Sequence, residues 1–322
     1  MTIKRQAGPR RLDFAQLRVD DADHNAFFAR SLWEIEQQIY KVEYPELIAK
    51  SLIPPKVGVN PAAKTFAYRM FDRFGVAKLL ASYAEDLPRS DIRGKEYTVR
   101  IEGYGASYGY SVMDIRGAAM AGIPLESEKA DAARDTIERT LDEVYAIGDT
   151  KAGSKGILNL ANVPAYVIPN GAGGSPLWVN KTQQEILADL NGIAHNSASL
   201  TRGIERPSRM LLDLDLFALI STTPMFATAS DTTILQYFLK NSPYIKEVIP
   251  WWRCADAGAA GVSRIVVYTP RPEKVQYLEP QPFEVFPPEQ MGLRFQSACH
   301  ARTGGVFTRY PFSLTYADGA GA

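Results

Sequence analysis

Between His24 and Tyr44 the apolar residues Phe28, Leu32, Ile35 and Ile39 recur at spacings of four, three and four, separated mostly by charged and polar side chains. That spacing lays one apolar stripe along a helix, with Asp21 or Asp23 standing where a cap is needed. "YPEL" and "IPPKVGVNP" then interrupt the pattern. From Thr65 the period drops to two. Phe66, Tyr68 and Met70 alternate with small or polar residues, and later Tyr97, Val99 and Ile101 alternate with Thr98, Arg100 and Glu102. Period two describes strands with one buried face each. Between the two runs lies "DRFGVAKLLASYAEDLPRSDIRGKE", where Lys78, Asp86, Arg89, Asp91 and Arg93 crowd the sequence. Two strands joined by so charged an excursion predict a long protruding hairpin, marginal alone and in need of another surface to lie on.

"GYGASYGYS" (103–111) comes next. Its glycines do not meet the dinucleotide spacing, since position 108 is Tyr, nor the P-loop pattern, since Tyr110 follows Gly109. A strand is the better reading, with glycine admitting a neighbouring backbone and Tyr104, Tyr108 and Tyr110 packing around it. Ser111 with Asp114 makes a capping box for a short helix ending at Gly122. Ala130, Ala133, Ile137, Leu141 and Val144 share one face of a longer helix that Gly148 stops. "NGAGGSP" reads as a loop and "KTQQEILADLNGIAHNSA" as another helix. "SRMLL" reads as a strand entering a helix capped near Asp213, and "SRIVVY" as a strand. Six prolines between Pro270 and Pro288 break up the stretch after that strand, and the C-terminal run predicts a hairpin turning at Gly304 and Gly305.

The 322 residues suffice for a large core, and 46% apolar content excludes wholesale disorder. The formal net charge of zero lacks the basic excess typical of a free-standing nucleic-acid binder. Lys4, Arg5, Arg10 and Arg11 read as a solvated tail. The N-terminus has no apolar signal core, and no apolar run approaches membrane-spanning length; two cysteines fit a reducing compartment. The expectation is a soluble intracellular protein.

The candidates for chemistry are thin. Cys299 and His300 are adjacent, so in a strand they point to opposite faces and cannot pair as nucleophile and base. His195 is the remaining partner for Cys299. The three histidines have no metal-ligand spacing. Asp213 and Asp215 suit a helix start, and Trp251–Trp252 beside Arg253 suit a core or a subunit interface. No catalytic, cofactor or metal site is predicted. The combination favours a protein that makes contact with copies of itself.

Several segments carry a resemblance together: "YPEL" (44–47), "FAYRMFDRFGVAKLLASYAEDLPR" (66–89), "GKEYTVRIEGYGASYGYSVMDIRGAAMAGIPL" (94–125), "KADAAR" (129–134), "GD" with "GILN" (148–159) and "GGVFTRYPFSLTYADG" (304–319). In this order and spacing the chain resembles the encapsulin-like family of bacteriophage major capsid proteins, which share the Hong Kong 97 type of tailed-phage capsid fold. The resemblance implies an α+β architecture. It would comprise an N-terminal arm (1–55), an extended hairpin loop overlapping a neighbouring subunit (56–101), and a peripheral domain with a long spine helix (102–184). An axial domain (185–289) and C-terminal strands returning to the peripheral domain (290–322) would complete it. It further implies a non-enzymatic shell protein of the virion, assembled in the host cytoplasm into pentamers and hexamers, with double-stranded DNA inside contacted weakly. Portal, scaffold and decoration proteins are the other implied partners. The arm begins within about 55 residues of Met1, so the resemblance implies a separate scaffold or none. Some relatives lock subunits by a Lys–Asn isopeptide bond; Lys78 lies in the loop, but no residue-level match carries the bond over.

Two other readings stand beside this one. A bacterial nanocompartment shell of the same fold would enclose an enzyme instead of DNA. A soluble cysteine-dependent hydrolase would require Cys299 and His195 to converge in a pocket.

Overall fold

One five-stranded sheet divides two hydrophobic cores in the computed structural model, which describes residues 44–78, 89–122, 124–226 and 232–321. The chain runs through α1 (Ala49–Leu52), β1 (Pro55–Lys56), β2 (Thr65–Phe74), β3 (Asp91–Arg100), β4 (Glu102–Ser111), α2 (Val112–Ala121) and α3 (Leu125–Ala146). Then come β5 (Ala165–Val167), α4 (Gln183–Leu200), β6 (Arg209–Leu212), α5 (Leu214–Thr222), α6 (Ile234–Asn241) and β7 (Glu247–Pro250). The rest is β8 (Arg264–Tyr268), β9 (Val275–Leu278), β10 (Gln281–Val285), β11 (Glu289–Met291), β12 (Arg294–Thr303), β13 (Gly305–Thr308) and β14 (Leu314–Asp318). The expected helix over 24–44 lies outside the described residues, apart from Tyr44. No described helix is long and apolar enough to cross a membrane.

The dividing sheet has strand order β5-β14-β8-β6-β7. Its two faces follow from the alternation of side chains along a strand. Leu211, Val266, Tyr268, Leu314 and Tyr316 enter a first core with Ala133, Ile137, Leu141 and Tyr145 of α3. Met210, Leu212, Ile265, Val267 and Ala317 enter a second core with Ile186, Leu190 and Ile193 of α4, Leu216 of α5 and Phe238 of α6. Both faces are covered, so "MLL" and "IVV" are unbroken apolar runs.

The helices start and stop for local reasons. Ser111 and Asp114 close a capping box on α2, at 3.1 and 2.9 Å, and Gly122 ends that helix in the left-handed region. Thr182 with Glu185 and Thr233 with Gln236 do the same for α4 and α6, while Asp213 caps α5. α3 has 22 residues, about 33 Å at 1.5 Å per residue. Gly148 follows it at φ +79°, and the chain folds back so closely that a Cβ on Gly156 would lie 2.2 Å from the Ala146 carbonyl oxygen.

Two sequence expectations are corrected. The C-terminal run is not a hairpin turning at Gly304–Gly305. Both edges of β12 are already taken, by β4 on one side and by β10 and β11 on the other, so β13 pairs with β9. The glycines let the chain leave one sheet for the other: a Cβ on Gly304 would meet the Arg100 carbonyl at 2.9 Å, and one on Gly305 the Lys155 carbonyl at 2.6 Å. The proline-rich stretch is broken into short strands, of which β10, containing Pro282, pairs on one side only. The hairpin strands run on to Phe74 and back from Asp91, so Asp91 and Arg93 belong to β3 and not to a loop. Ile168 and Trp178, from before α4, and Ala317 and Ala320, from the C-terminus, join the second core.

Candidate assembly interface

The β2–β3 ribbon is a long and largely exposed element of the described residues. It has ten paired rows, from Thr65 opposite Arg100 to Phe74 opposite Asp91, or about 34 Å at the usual strand rise. Among the described residues, its base is the part that packs on the body of the subunit. There Phe66 and Tyr68 pack on Phe307, with ring centroids 5.3 and 5.7 Å apart, and the Tyr68 hydroxyl donates to the Thr308 carbonyl at 3.1 Å. Farther out the ribbon is held by its own cross-strand pairs. Tyr68 stacks on Tyr97 at 5.3 Å, Arg69 bonds Glu96 at 2.8 Å, and the Arg93 guanidinium lies 4.6 Å from the Phe74 ring centre. Phe71 is 69% exposed, Ile92 58% and Val76 74%. A two-stranded ribbon that leaves such side chains in water is marginal alone. Assembly is what can cover it. Residues 79–88, including Asp86, lie outside the described residues.

The glycine stretch is strand β4, paired along its whole length with β12. Tyr104 and Tyr108 pack against the first core, Tyr110 is buried against Phe295, and the glycines are exposed. Backbones do approach closely at Gly109, where a Cβ would sit 3.0 Å from the Phe295 carbonyl, but not at Gly103, where the nearest atom is 3.9 Å away. The backbone is engaged in a ladder and forms no phosphate cradle.

The structure does not bring Cys299 and His195 together. Cys299 is buried in the first core, where burial raises its thiol pKa and disfavours the thiolate. His195 is exposed on α4 and stacks on Tyr244 at 5.9 Å. His300, on the opposite face from Cys299, stacks on Phe286 at 5.2 Å, with its Nδ1 4.0 Å from Glu284. Asp213 serves as a cap, with Asp215 in the first turn of α5. Trp251 is buried, while Trp252 is partly exposed under the Arg253 guanidinium. No group of three or more His, Cys, Asp or Glu among the described residues is placed to hold a metal.

Two charge clusters, one buried around Asp142 and one partly exposed around Lys50, fix α1 to α3. Asp142 accepts from the Ala49 amide at 2.9 Å and from Arg253 Nε at 3.0 Å. Lys50 reaches Glu138 and Glu279, both at 2.9 Å. Burial alone would lower the Lys50 pKa, but its hydrogen bonds to the two glutamates outweigh this and raise it.

The family profile described as Major capsid protein matches residues 75–320. The chain belongs to the major capsid protein family. The fold of this capsid protein is of the Hong Kong 97 type. It is similar to the capsid of Myoviridae phage XM1, with a TM-score of 0.78 at 15% identity, covering 90% of this chain and 98% of that one. It also resembles a structure from Mycobacterium phage Adephagia (TM-score 0.58, 15% identity, covering 92% and 94%). The capsid of a native GTA particle is similar too (0.59, 13%, covering 89% and 94%). No curated protein matches the sequence. As a major capsid protein, the chain is a structural component of a phage head.

Proposed function

We propose that this chain is the self-assembling subunit of an icosahedral tailed-phage head, built from pentamers and hexamers around double-stranded DNA, and that its role is structural and not catalytic. The observation that carries this reading is the β2–β3 ribbon, whose outer half is exposed with respect to the described residues of its own subunit. On this reading the ribbon and its flanks (56–101) are the extended loop, and the first 55 residues are the arm. The core around α3 is the peripheral domain. The core around α4, α5 and α6 is the axial domain; it also takes in Ile168, Trp178 and the last strand.

The ribbon reaches over a neighbouring subunit, where its charges set register more than affinity. With zero net charge, the shell holds DNA mainly as a wall, with contacts that moderate salt dissolves. Assembly takes place in the host cytoplasm, with portal, scaffold and decoration proteins as partners of the finished head. The fold is also similar to a virus-like particle from Pyrococcus furiosus (TM-score 0.51, 10% identity, covering 83% and 91%), which keeps a nanocompartment shell as the second reading. Neighbouring portal and terminase genes, against a cargo-enzyme gene, separate the two.

The test is the double reversal Arg89→Glu with Arg93→Glu. The subunit should melt as the wild type does, while micrographs show few or aberrant particles. Normal particles would refute the clamp. An unfolded subunit would place the ribbon in the subunit's own core.

A further inference from the structure

A groove of about 1080 Å³ opens beside the ribbon base. That is at the upper end of pockets that enclose a drug-sized ligand, so a stretch of polypeptide several residues long fits. Its walls come from distant parts of the chain: Tyr68 and Tyr97 of the ribbon, Phe307, Tyr310 and Phe312 after β12, and Ile204 after α4. Four basic side chains line it, Arg100, Lys155, Lys274 and Arg309; Glu205 pairs with Lys274 and Glu102 lies 3.7 Å from Arg100, which leaves the groove an excess of positive charge through Lys155 and Arg309. Lys274 lies 4.3 Å from the Tyr310 ring centre and Arg309 5.7 Å from that of Tyr68, so the positive charge sits directly on the aromatic wall.

The matching surface is on the same chain. Residues 284–293, "EVFPPEQMGL", run along the outer edge of β12 and are exposed throughout. Met291 is 63% exposed and Leu293 76%. The segment has two carboxylates, Glu284 and Glu289, and no basic residue. Pro287 and Pro288 fix their backbone near φ −65° and hold it extended, so little entropy remains to be lost on docking. Aromatic grooves take extended proline segments for this reason.

We propose that the proline ridge at 284–293 of one subunit occupies the aromatic groove of its neighbour. The inference rests on the self-assembly reading and names the partner surfaces. Ridge and groove are different surfaces, so the contact is head-to-tail, and head-to-tail contacts close into rings when the rotation allows. Apolar contacts and prolines supply the affinity, while the two glutamates facing a basic groove choose the partner.

The experiment combines charge reversal with crosslinking. Glu284→Lys with Glu289→Lys, and separately Lys155→Glu with Arg309→Glu, should each cut particle yield by about tenfold or more, equivalent to about 1.4 kcal/mol. Melting curves identify any variant that has lost its fold. Subunits with the two reversals, mixed or combined, should recover assembly. Independently, Pro288→Cys with Phe312→Cys should give covalent multimers on oxidation of particles; Cys254 and Cys299 are buried and contribute no background. Wild-type particles with neither rescue nor crosslink overturn this contact and leave self-assembly standing. A wild-type protein that forms no particles under any condition removes the assembly reading itself.

Discussion

Arg264 and Asp318 face each other across the β8–β14 ladder and close a two-point ion pair, Nε to Oδ1 and Nη2 to Oδ2, both at 2.7 Å. The pair ties the dividing sheet to the loop before it, because Asp318 also accepts from the Ala259 amide at 3.1 Å. Arg264 in turn donates to the Leu158 carbonyl at 2.5 Å and covers the Tyr316 ring.

Replacing Asp318 with Asn leaves that guanidinium half-buried without its countercharge. A loss of about 2–3 kcal/mol is expected, the range for hydrogen bonds to charged groups. It should appear as a lower denaturant midpoint with an unchanged slope. Burial opposes ionisation of Asp318, but its bonds to Arg264 and Ala259 outweigh this and hold the carboxyl below its ordinary value of 3.8. A depressed carboxylate pKa gives stability that is full above the ordinary value and lost as pH falls through the lower, folded one. The wild type should therefore lose part of its stability in acid below about pH 4, and Asp318→Asn should flatten that limb. A variant with the same acid limb would show that other carboxylates govern it.

Asp142 behaves oppositely. Burial raises its pKa, even though the Ala49 amide and Arg253 favour the charged form. A raised folded pKa means that this group's contribution is greatest at low pH and declines as pH rises through the folded value. Asp142→Ala strands the Arg253 charge and the Ala49 amide, at a cost of about 3–5 kcal/mol for a broken buried pair. Asp142→Asn keeps an acceptor for Ala49 and should cost clearly less. Chemical denaturation of both variants decides; equal losses would mean the Ala49 bond contributes nothing separate.

Much of this fold is local enough to read from the sequence. Ser111–Asp114, Thr182–Glu185 and Asp213 each announce a helix start within four residues, and the alternation at Phe66–Met70 announces a ribbon strand. Pairing is another matter. β12 chooses β4, nearly two hundred positions earlier, and the glycines at 304 and 305 look the same whether they make a turn or a crossing between sheets. The double-faced sheet did leave a signal, since an unbroken run such as "RIVVY" has no polar face to turn to water. The ribbon was legible as an element needing cover. The groove was not, because its walls run from Tyr68 to Phe312 and meet only in the folded chain.

The return after α3 gives a backbone prediction. In Gly156→Ala the new Cβ would sit 2.2 Å from the Ala146 carbonyl oxygen, a backbone atom that cannot swing aside. The Ile157 and Leu158 amides bond the Tyr145 and Ala146 carbonyls at 2.9 Å, so the loop cannot retreat without losing them. A loss of about 3 kcal/mol or more is expected, in the range of strained backbone substitutions. Gly153→Ala, in the same loop, meets no atom within 4 Å and bears only the strain of its φ of +71°. It should cost less. Thermal melts of the two variants compare steric conflict with conformational strain, and reversal of their order would contradict the close packing at Ala146.

The outer ribbon separates subunit stability from assembly most cleanly. Val76 and Ile92 lie in solvent on the described subunit and contribute little to either core. Threonine keeps the β-branched shape that a strand favours and removes apolar surface. Val76→Thr with Ile92→Thr should therefore shift the subunit melt by no more than about 0.5 kcal/mol per site. On the proposed clamp reading a neighbouring subunit covers those side chains, and each apolar group kept out of water contributes about 25 cal/mol per Å². Repeated at every subunit, the loss should raise the protein concentration at which particles first form, as read by sedimentation. An unchanged critical concentration, with the subunit melt also unchanged, would mean the ribbon stays in solvent within the shell.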